Sequence, residues 1–513
     1  MTSKDLTLSR WCAVLRLILA GAVLVTVGCS TLQRVDLPDE TSLAPAQSVL
    51  WTEVAAVRSD DWLHLLNTGG EAIEWRLRLI DSASQSIDLQ TFLWSDDQTG
   101  LRILRHLYEA ADRGVRVRIL VDDSFTVTHD ELIWEIDHHP NIEFRIYNPY
   151  ARRSNSMLVR HLLNLGDFSR VDHRMHNKLM VVDNQAAIVG GRNLADEYFG
   201  SHEAANFRDL EVLTGGPAVQ WLSIKFDGYW NSDWSFPADR LLTVEPTMSP
   251  AEFEAWILSA VERGLQQEDA AIRTRAWRQT AQDAVAGEVL VFADRPADEN
   301  PAVPEESPIQ LAQELINMID AANEELILVS AYLIPTPELE QAIERAEDRG
   351  VRVRILTNSL RSNNHVAAHS AYRHHVQRLV DHGAEVHEVR AYAKDRAFYM
   401  KHPVEDKHLG LHSKLLLIDN HLSFIGSANL DPRSLRINTE MGLLINSTEF
   451  NELVREVLAL DFHQRNAWHL QLQPDGHVAW VADDVVLHEQ PAESALQRLE
   501  DWFLGILPIE DEM

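Results

Sequence analysis

The chain has 513 residues, room for two or three domains, and 45% of them are hydrophobic, enough to fill large cores. Its formal charge of −32 at pH 7 argues against a protein that tracks nucleic-acid phosphates, which needs a basic surface. Both cysteines, Cys12 and Cys29, lie near the start, so the body of the chain has neither a disulfide scaffold nor a cysteine zinc site.

Residues 1–29 read as an export leader. Lys4, Arg10 and Arg16 are followed by an apolar run of 11 residues, Leu17 to Val27. That is short of the roughly 20 residues that span a bilayer. Val27-Gly28-Cys29-Ser30 resembles a bacterial lipoprotein processing site. Residues 1–28 are then a signal peptide, Cys29 the lipidated first residue, and the protein a membrane-anchored lipoprotein facing the periplasm. An uncleaved anchor and plain secretion are the alternatives. Residues 29–69, polar at first with Pro38 and Pro45, are expected to form a tether.

From residue 70 the pattern alternates between helix and strand. Ala72–Ala83 has helical periodicity, Ser86–Trp94 reads as a strand, and Leu101–Arg113 as a helix ended by Gly114. Val115–Asp122 alternates as a strand does. A parallel series follows later: helix Ile309–Ala322, strand Glu325–Ala331, helix Leu339–Arg349 ended by Gly350, and strand Val351–Leu356. That last strand repeats Val115-Arg-Val-Arg-Ile-Leu120 at an offset of 236. The domains expected are a first repeat at 70–240, a helical insertion and Pro/acid linker at 241–308, and a second repeat at 309–470. A hairpin around Asp475-Gly476 and a helix over Ala495–Leu507 complete the chain at 471–513. Strand–helix–strand units of this kind argue an α/β fold with helices on the faces of its sheets. The apolar stripe of the last helix fits docking on a core, with a membrane interface as the alternative.

Each repeat carries one motif. His176-Asn-Lys178-Leu-Met-Val-Val-Asp183 precedes Gly190-Gly191-Arg192-Asn193, and His412-Ser-Lys414-Leu-Leu-Leu-Ile-Asp419 precedes Gly426-Ser427-Ala-Asn429. His, Lys, Asp, Gly and Asn all keep the 236-residue offset. Only seven lysines stand among 46 basic residues, and two of the seven lie here. Two matches in one register make coincidence a poor account. On a strand, His and Lys two apart project from one face, whereas the Asp five places past the Lys projects from the other. An imidazole, an ammonium and a returning amide suit an anionic, tetrahedral centre. For the aspartates, pairing within the motif stands beside a chemical role.

HxKxxxxD with a trailing GG/GSxN resembles the phospholipase D superfamily. Arg174–Lys178, Gly190–Phe199, Gly426–Ser434 and Asn438-Thr-Glu440-Met-Gly442 are closest to its bacterial cardiolipin synthase C-type branch, over about residues 70 to 510. The resemblance implies two duplicated α/β sandwich domains, each a mixed sheet flanked by helices. They would be related by a pseudo-twofold axis, with the active site at their interface. It implies a catalytic set of His176, Lys178, Asp183, His412, Lys414 and Asp419, with Asn193 and Asn429 on the substrate phosphate. Glu440 would orient a histidine. Asp209, at an offset of 231, is its counterpart in the first repeat.

Two histidines split phosphodiester exchange into feasible steps: one attacks phosphorus and the other protonates the departing oxygen. The lysines and asparagines stabilise the charge, so neither cofactor nor metal is expected. The leading expectation is a phosphatidyltransferase that makes cardiolipin from phospholipids, with phosphatidylglycerol and phosphatidylethanolamine as substrates, no nucleic-acid partner, and a membrane reached through the lipid anchor. A phospholipase D-type hydrolase is the alternative. A phosphodiesterase acting on DNA and a non-catalytic envelope lipoprotein rank lower. His365-Val-Ala-Ala-His369 has metal-ligand spacing but lacks a third ligand, and a solvated helix face or a rim contact with a lipid head group fits it better. Arg192 and Arg433, beside the motifs, are candidates for phosphate contact or for structure.

Overall fold

The structure is a computed structural model that describes residue 32 and residues 35–507, except 127–128, 245–246, 266–267 and 298–309. The signal peptide and Cys29 lie outside the described residues.

Two mixed sheets organise the chain. The first runs, edge to edge, Val285–Ala286, Trp62–Leu66, Glu211–Gly215, Ala186–Gly190, Leu179–Val182, Ser86–Thr91, Arg116–Asp122, Ile142–Tyr147, Ser235–Pro237. The second runs Glu288–Ala293, Met441–Asn446, Leu422–Gly426, Leu415–Ile418, Glu325–Val329, Arg352–Asn358, Glu385–Val389, Ala467–Leu472, Val478–Val481, Val486–Leu487. Each sheet has a parallel trio joined by helices, and each motif strand pairs antiparallel to the first strand of its trio. The motif strands are apolar throughout and wholly buried, because both faces of each sheet are covered. Outer helices, among them Gly69–Ser82 and Gln98–Asp112 on one sheet and Pro337–Asp348 and Val366–His382 on the other, build separate outer cores. The inner faces share one core, which also takes in helices Ala218–Trp230 and Thr448–Asp461.

Two expectations change. The segment read as a tether carries helix Val49–Val57 and strand Trp62–Leu66, and both belong to the first domain. Trp277, on helix Ala270–Asp283 of the expected insertion, meets Trp51, Trp62 and Trp75 edge-on at 5.0, 6.4 and 5.1 Å, so tether and insertion join one core. The stretch before the linker contributes strand Glu288–Ala293 to the second sheet. Strand Arg116–Asp122 is covered on both faces. Arg118 is fully buried against Asp88 at 2.7 Å and Asp227 at 2.8 Å, and it lies over the Phe226 ring, because helix Ala218–Trp230 covers that face. An alternating pattern places side chains on two faces but cannot say that both will be covered.

The hairpin forms as expected, with Gly476 turning at φ +85. Among the described residues no helix is long and apolar enough to cross a membrane.

Candidate active site

Each histidine stands at the entry to its motif strand and is held by the other repeat. The His176 amide donates to the Thr439 carbonyl at 2.9 Å, and the Thr439 amide donates to Arg174 at 2.9 Å. On the other side, strand His408–Leu411 pairs in parallel with Ala205–Arg208, and the His412 amide donates to the Arg208 carbonyl at 2.8 Å. The last residue of the middle strand in each trio fixes the residue before the histidine. Asp122 accepts from the Met175 amide at 2.9 Å, and Asn358 from the Leu411 amide at 2.8 Å.

The side chains cross the same way. His176 Nδ1 lies 2.9 Å from both oxygens of Glu440, and His412 Nδ1 lies 2.7 Å from Asp209 Oδ2. With Nδ1–H donated to a carboxylate, each Nε2 keeps its lone pair, and among the described residues neither Nε2 has a hydrogen-bond partner. Lys178 Nζ donates to its own motif's His176 carbonyl at 2.7 Å, and Lys414 Nζ to the His412 carbonyl. Asn193 and Asn429 are buried, with amide oxygens that lack a hydrogen-bond partner. The Phe92 ring meets His176 edge-on at 4.9 Å, and the Tyr198 ring meets His412 at 4.9 Å.

Burial sets the electrostatics. It lowers His176 to about 4 against the pull of Glu440, with Lys178 and Lys414 adding to the fall. It lowers His412 to about 3, helped by Lys414 and Lys178 and opposed by Asp209. Lys178 falls to about 7 by burial and by the neighbouring Lys414, although Glu440 opposes it. Lys414 falls to about 8 by burial, against Asp209 and Glu440. Each histidine thus feels the lysine of the other motif. Burial opposes ionisation of Asp209, but the hydrogen bond from His412 and the charges of Lys414 and Arg192 hold it at about 2. Glu440 is likewise held low against burial, by His176, Lys178 and Ser427. Burial thus favours neutral imidazoles and weakens the charge on both lysines, while both carboxylates stay ionised.

Asp183 and Asp419 are corrected: neither is bonded to a histidine or lysine of the site. Asp183 accepts from Trp51 Nε1 at 2.7 Å, the Ser84 amide and hydroxyl at 2.9 and 2.7 Å, the Gln85 amide at 2.7 Å and the Ser86 amide at 2.9 Å. Asp419 accepts from the amides of Asn323, Glu324 and Glu325 at 3.1, 2.7 and 3.2 Å. Each sits at the far end of its motif strand and ties down the turn that starts the neighbouring strand, which the odd spacing explains.

Arg192 is also structural, with its guanidinium given to Glu211 and to the carbonyls of Leu66, Tyr198 and Asp209. Arg433 bridges the repeats to Asp172 at 2.8 Å. His369 is not on a solvated face but is buried, with Nδ1 2.8 Å from Asp501 of the last helix.

Sequence reasoning missed three supports. Asp294, read as linker, is buried and accepts from the Glu440 amide at 2.9 Å. The Ser427 hydroxyl donates to Glu440. At Gly191, the equivalent position, a Cβ would stand 2.5 Å from Asp209 Oδ1, so glycine is required. That GG/GS difference between the motifs was the available signal. The Asp122/Asn358 pair, one repeat length apart, was the other.

The family model described as "Cardiolipin synthase, PLD-like domain" matches residues 77–230 and 315–461. Cardiolipin synthase C of Escherichia coli (strain K12) is 32% identical over 449 residues, covering 86% of this chain and 93% of that protein. Cardiolipin synthase B of Shigella flexneri is 26% identical over 414 residues, covering 79% and 83%. The crystal structure of phosphatidylserine synthase from Haemophilus influenzae Rd KW20 superposes with a TM-score of 0.52 at 15% identity, over 82% of this chain and 92% of that one, which speaks for the fold alone. The family model spans both repeats and a relative 32% identical covers 86% of the chain: the chain belongs to the phospholipase D superfamily, in the family of cardiolipin synthase PLD-like domains.

Proposed function

We propose that the protein is a phosphatidyltransferase that makes cardiolipin by moving a phosphatidyl group from one phospholipid to the hydroxyl of another. Phosphatidylglycerol and phosphatidylethanolamine are the candidate substrates. The observation that carries this reading is the reciprocal pair His176–Glu440 and His412–Asp209, each with a free Nε2. One neutral imidazole attacks phosphorus, so that a P–N bond forms as the P–O bond to the leaving alcohol breaks. The other histidine, protonated once the anionic substrate offsets the charge of the lysines, gives its proton to the leaving oxygen. It then takes the proton of the incoming hydroxyl, which attacks the phosphohistidine and releases the new lipid. Lys178, Lys414, Asn193 and Asn429 would stabilise the phosphoryl oxygens. Similarity to two cardiolipin synthases supports an alcohol rather than water as acceptor. Lipidation at Cys29 would hold the enzyme on a membrane facing the periplasm.

Lipid analysis of cells producing the wild type or His412→Ala tests the proposal. Extra cardiolipin with the wild type alone supports transfer. Extra phosphatidic acid instead would make the enzyme a hydrolase and overturn it.

A further inference from the structure

Tyr198 stands where the two repeats meet. It follows Asn193 by five residues, in the tight turn Asp196–Phe199, and it is buried. Its ring meets His412 of the other repeat edge-on at 4.9 Å and Phe207 at 5.1 Å, and Phe207 in turn lies 5.4 Å from His412. The imidazole therefore has Asp209 at Nδ1 and two rings of the first repeat packed beside it. The hydroxyl oxygen of Tyr198 accepts from the amide nitrogen of Asn193, whose Oδ1 has no partner. One guanidinium carries both supports of His412: Arg192 donates through Nε to the Tyr198 carbonyl at 3.0 Å and through Nη2 to the Asp209 carbonyl. The chemistry described above uses Asn193 and His412 but gives no part to the side chain that touches both.

The second repeat does not mirror this contact. Asn429 matches Asn193 at the 236-residue offset, but Ser434 stands where Tyr198 would, and its amide donates to Asp431 at 2.6 Å. His176 meets Phe92 of its own repeat instead, a ring without a hydroxyl.

We propose that Tyr198 is a positioning residue: it holds the amide of Asn193 in one orientation and the imidazole of His412 beside it, so that a phosphoryl oxygen gripped by the first repeat keeps a fixed relation to the histidine of the second. The inference rests on the reading above that Asn193 holds a phosphoryl oxygen. A side-chain amide that is free to turn presents to an anion either its N–H groups, which attract it, or its oxygen, which repels it. A hydroxyl that takes one N–H removes that freedom before substrate arrives, and the ring contact does the same for the imidazole.

The test uses the full chain and phosphatidylglycerol. Tyr198→Phe keeps the ring and removes the hydroxyl, and it should lower kcat about three- to tenfold with KM and melting temperature unchanged. Tyr198→Leu removes the ring as well and should lose about a further tenfold. In an Asn193→Ala background Tyr198→Phe should change kcat less than about twofold, whereas in an Asn429→Ala background it should keep its full effect. A full effect in both backgrounds, or no effect in the otherwise wild-type chain, would overturn the proposal. Cardiolipin and phosphatidic acid are counted together, so a chain that yields only phosphatidic acid refutes the proposed function and still reports on Tyr198. Affinity for orthovanadate, a mimic of five-bonded phosphorus, repeats the cycle without turnover. It should weaken in Tyr198→Phe but not further when Asn193 is already alanine, and equal affinity of wild type and Tyr198→Phe would count against the role.

Discussion

His176 Nδ1 lies 2.9 Å from both oxygens of Glu440, a residue 264 positions further on and in the other repeat. The mirror pair, His412 and Asp209, lies at 2.7 Å. Neither repeat can orient its own histidine. Two half-sites exchanged across an interface give one site that needs both halves, and each carboxylate fixes the tautomer that leaves Nε2 free.

Glu440→Gln and Asp209→Asn should therefore each lower kcat by about 10²–10⁴-fold, the range that general acid–base catalysis contributes. Melting temperatures should stay close to wild type. Steady-state rates and thermal unfolding on the same samples check this. A carboxamide variant with near-normal kcat would remove that carboxylate from the mechanism.

Lys178 at about 7 and Lys414 at about 8 make binding pH-dependent. Below pH 7 both are protonated, and above pH 8 both lose their charge in the empty site. An anionic phosphodiester restores the ammonium form. Binding a phosphonate analogue at pH 8 should thus take up about one to two protons at the lysines, and affinity should fall as pH rises further. Calorimetry in buffers of different ionisation enthalpy measures the uptake. No uptake at pH 8, with affinity flat to pH 9, would contradict the lowered lysines.

Asp183→Ala should cost stability rather than chemistry. It strands five donors, including the indole of Trp51, and about 3 kcal/mol or more should be lost. Asp419→Ala should cost about 1 kcal/mol, because water can reach the amides it serves. Urea midpoints measure the loss, and kcat per folded molecule should hold in both. A rate loss at constant stability would return these aspartates to the catalytic set.

Gly191→Ala places a methyl group where Asp209 stands, 2.5 Å from its oxygen. The carboxylate must move and His412 loses its orientation, so kcat should fall at least about tenfold. Ser427→Ala, which removes a donor to Glu440 and the acceptor of the Met441 amide but forces no atom to move, should have a smaller effect. The opposite order of severity would show that the two loops are not built as described.

The duplication was legible because it is written in identities at one offset. His, Lys, Asn and the Val-Arg-Val-Arg strands repeat at 236 residues, and strand periodicity puts His and Lys on one face. The far placement of Asp183 and Asp419 was likewise implied by odd spacing. Burial was not legible. Arg118 reads as an outward residue of an alternating strand and lies fully buried, because a helix from 100 residues later covers it. Asp294 reads as linker and supports the active site, because a turn's role depends on what packs against it.

The sequence by itself determined the chemistry: which side chains face one way, twice, in a register that only duplication explains. The tertiary structure decided which carboxylate serves which histidine, and its burial of the lysines lowers their pKa values. It also decided that the last helix turns its apolar stripe outward. Spacing along a chain fixes direction within a strand, but partners hundreds of residues apart and the exclusion of water exist only once the two repeats have closed on each other.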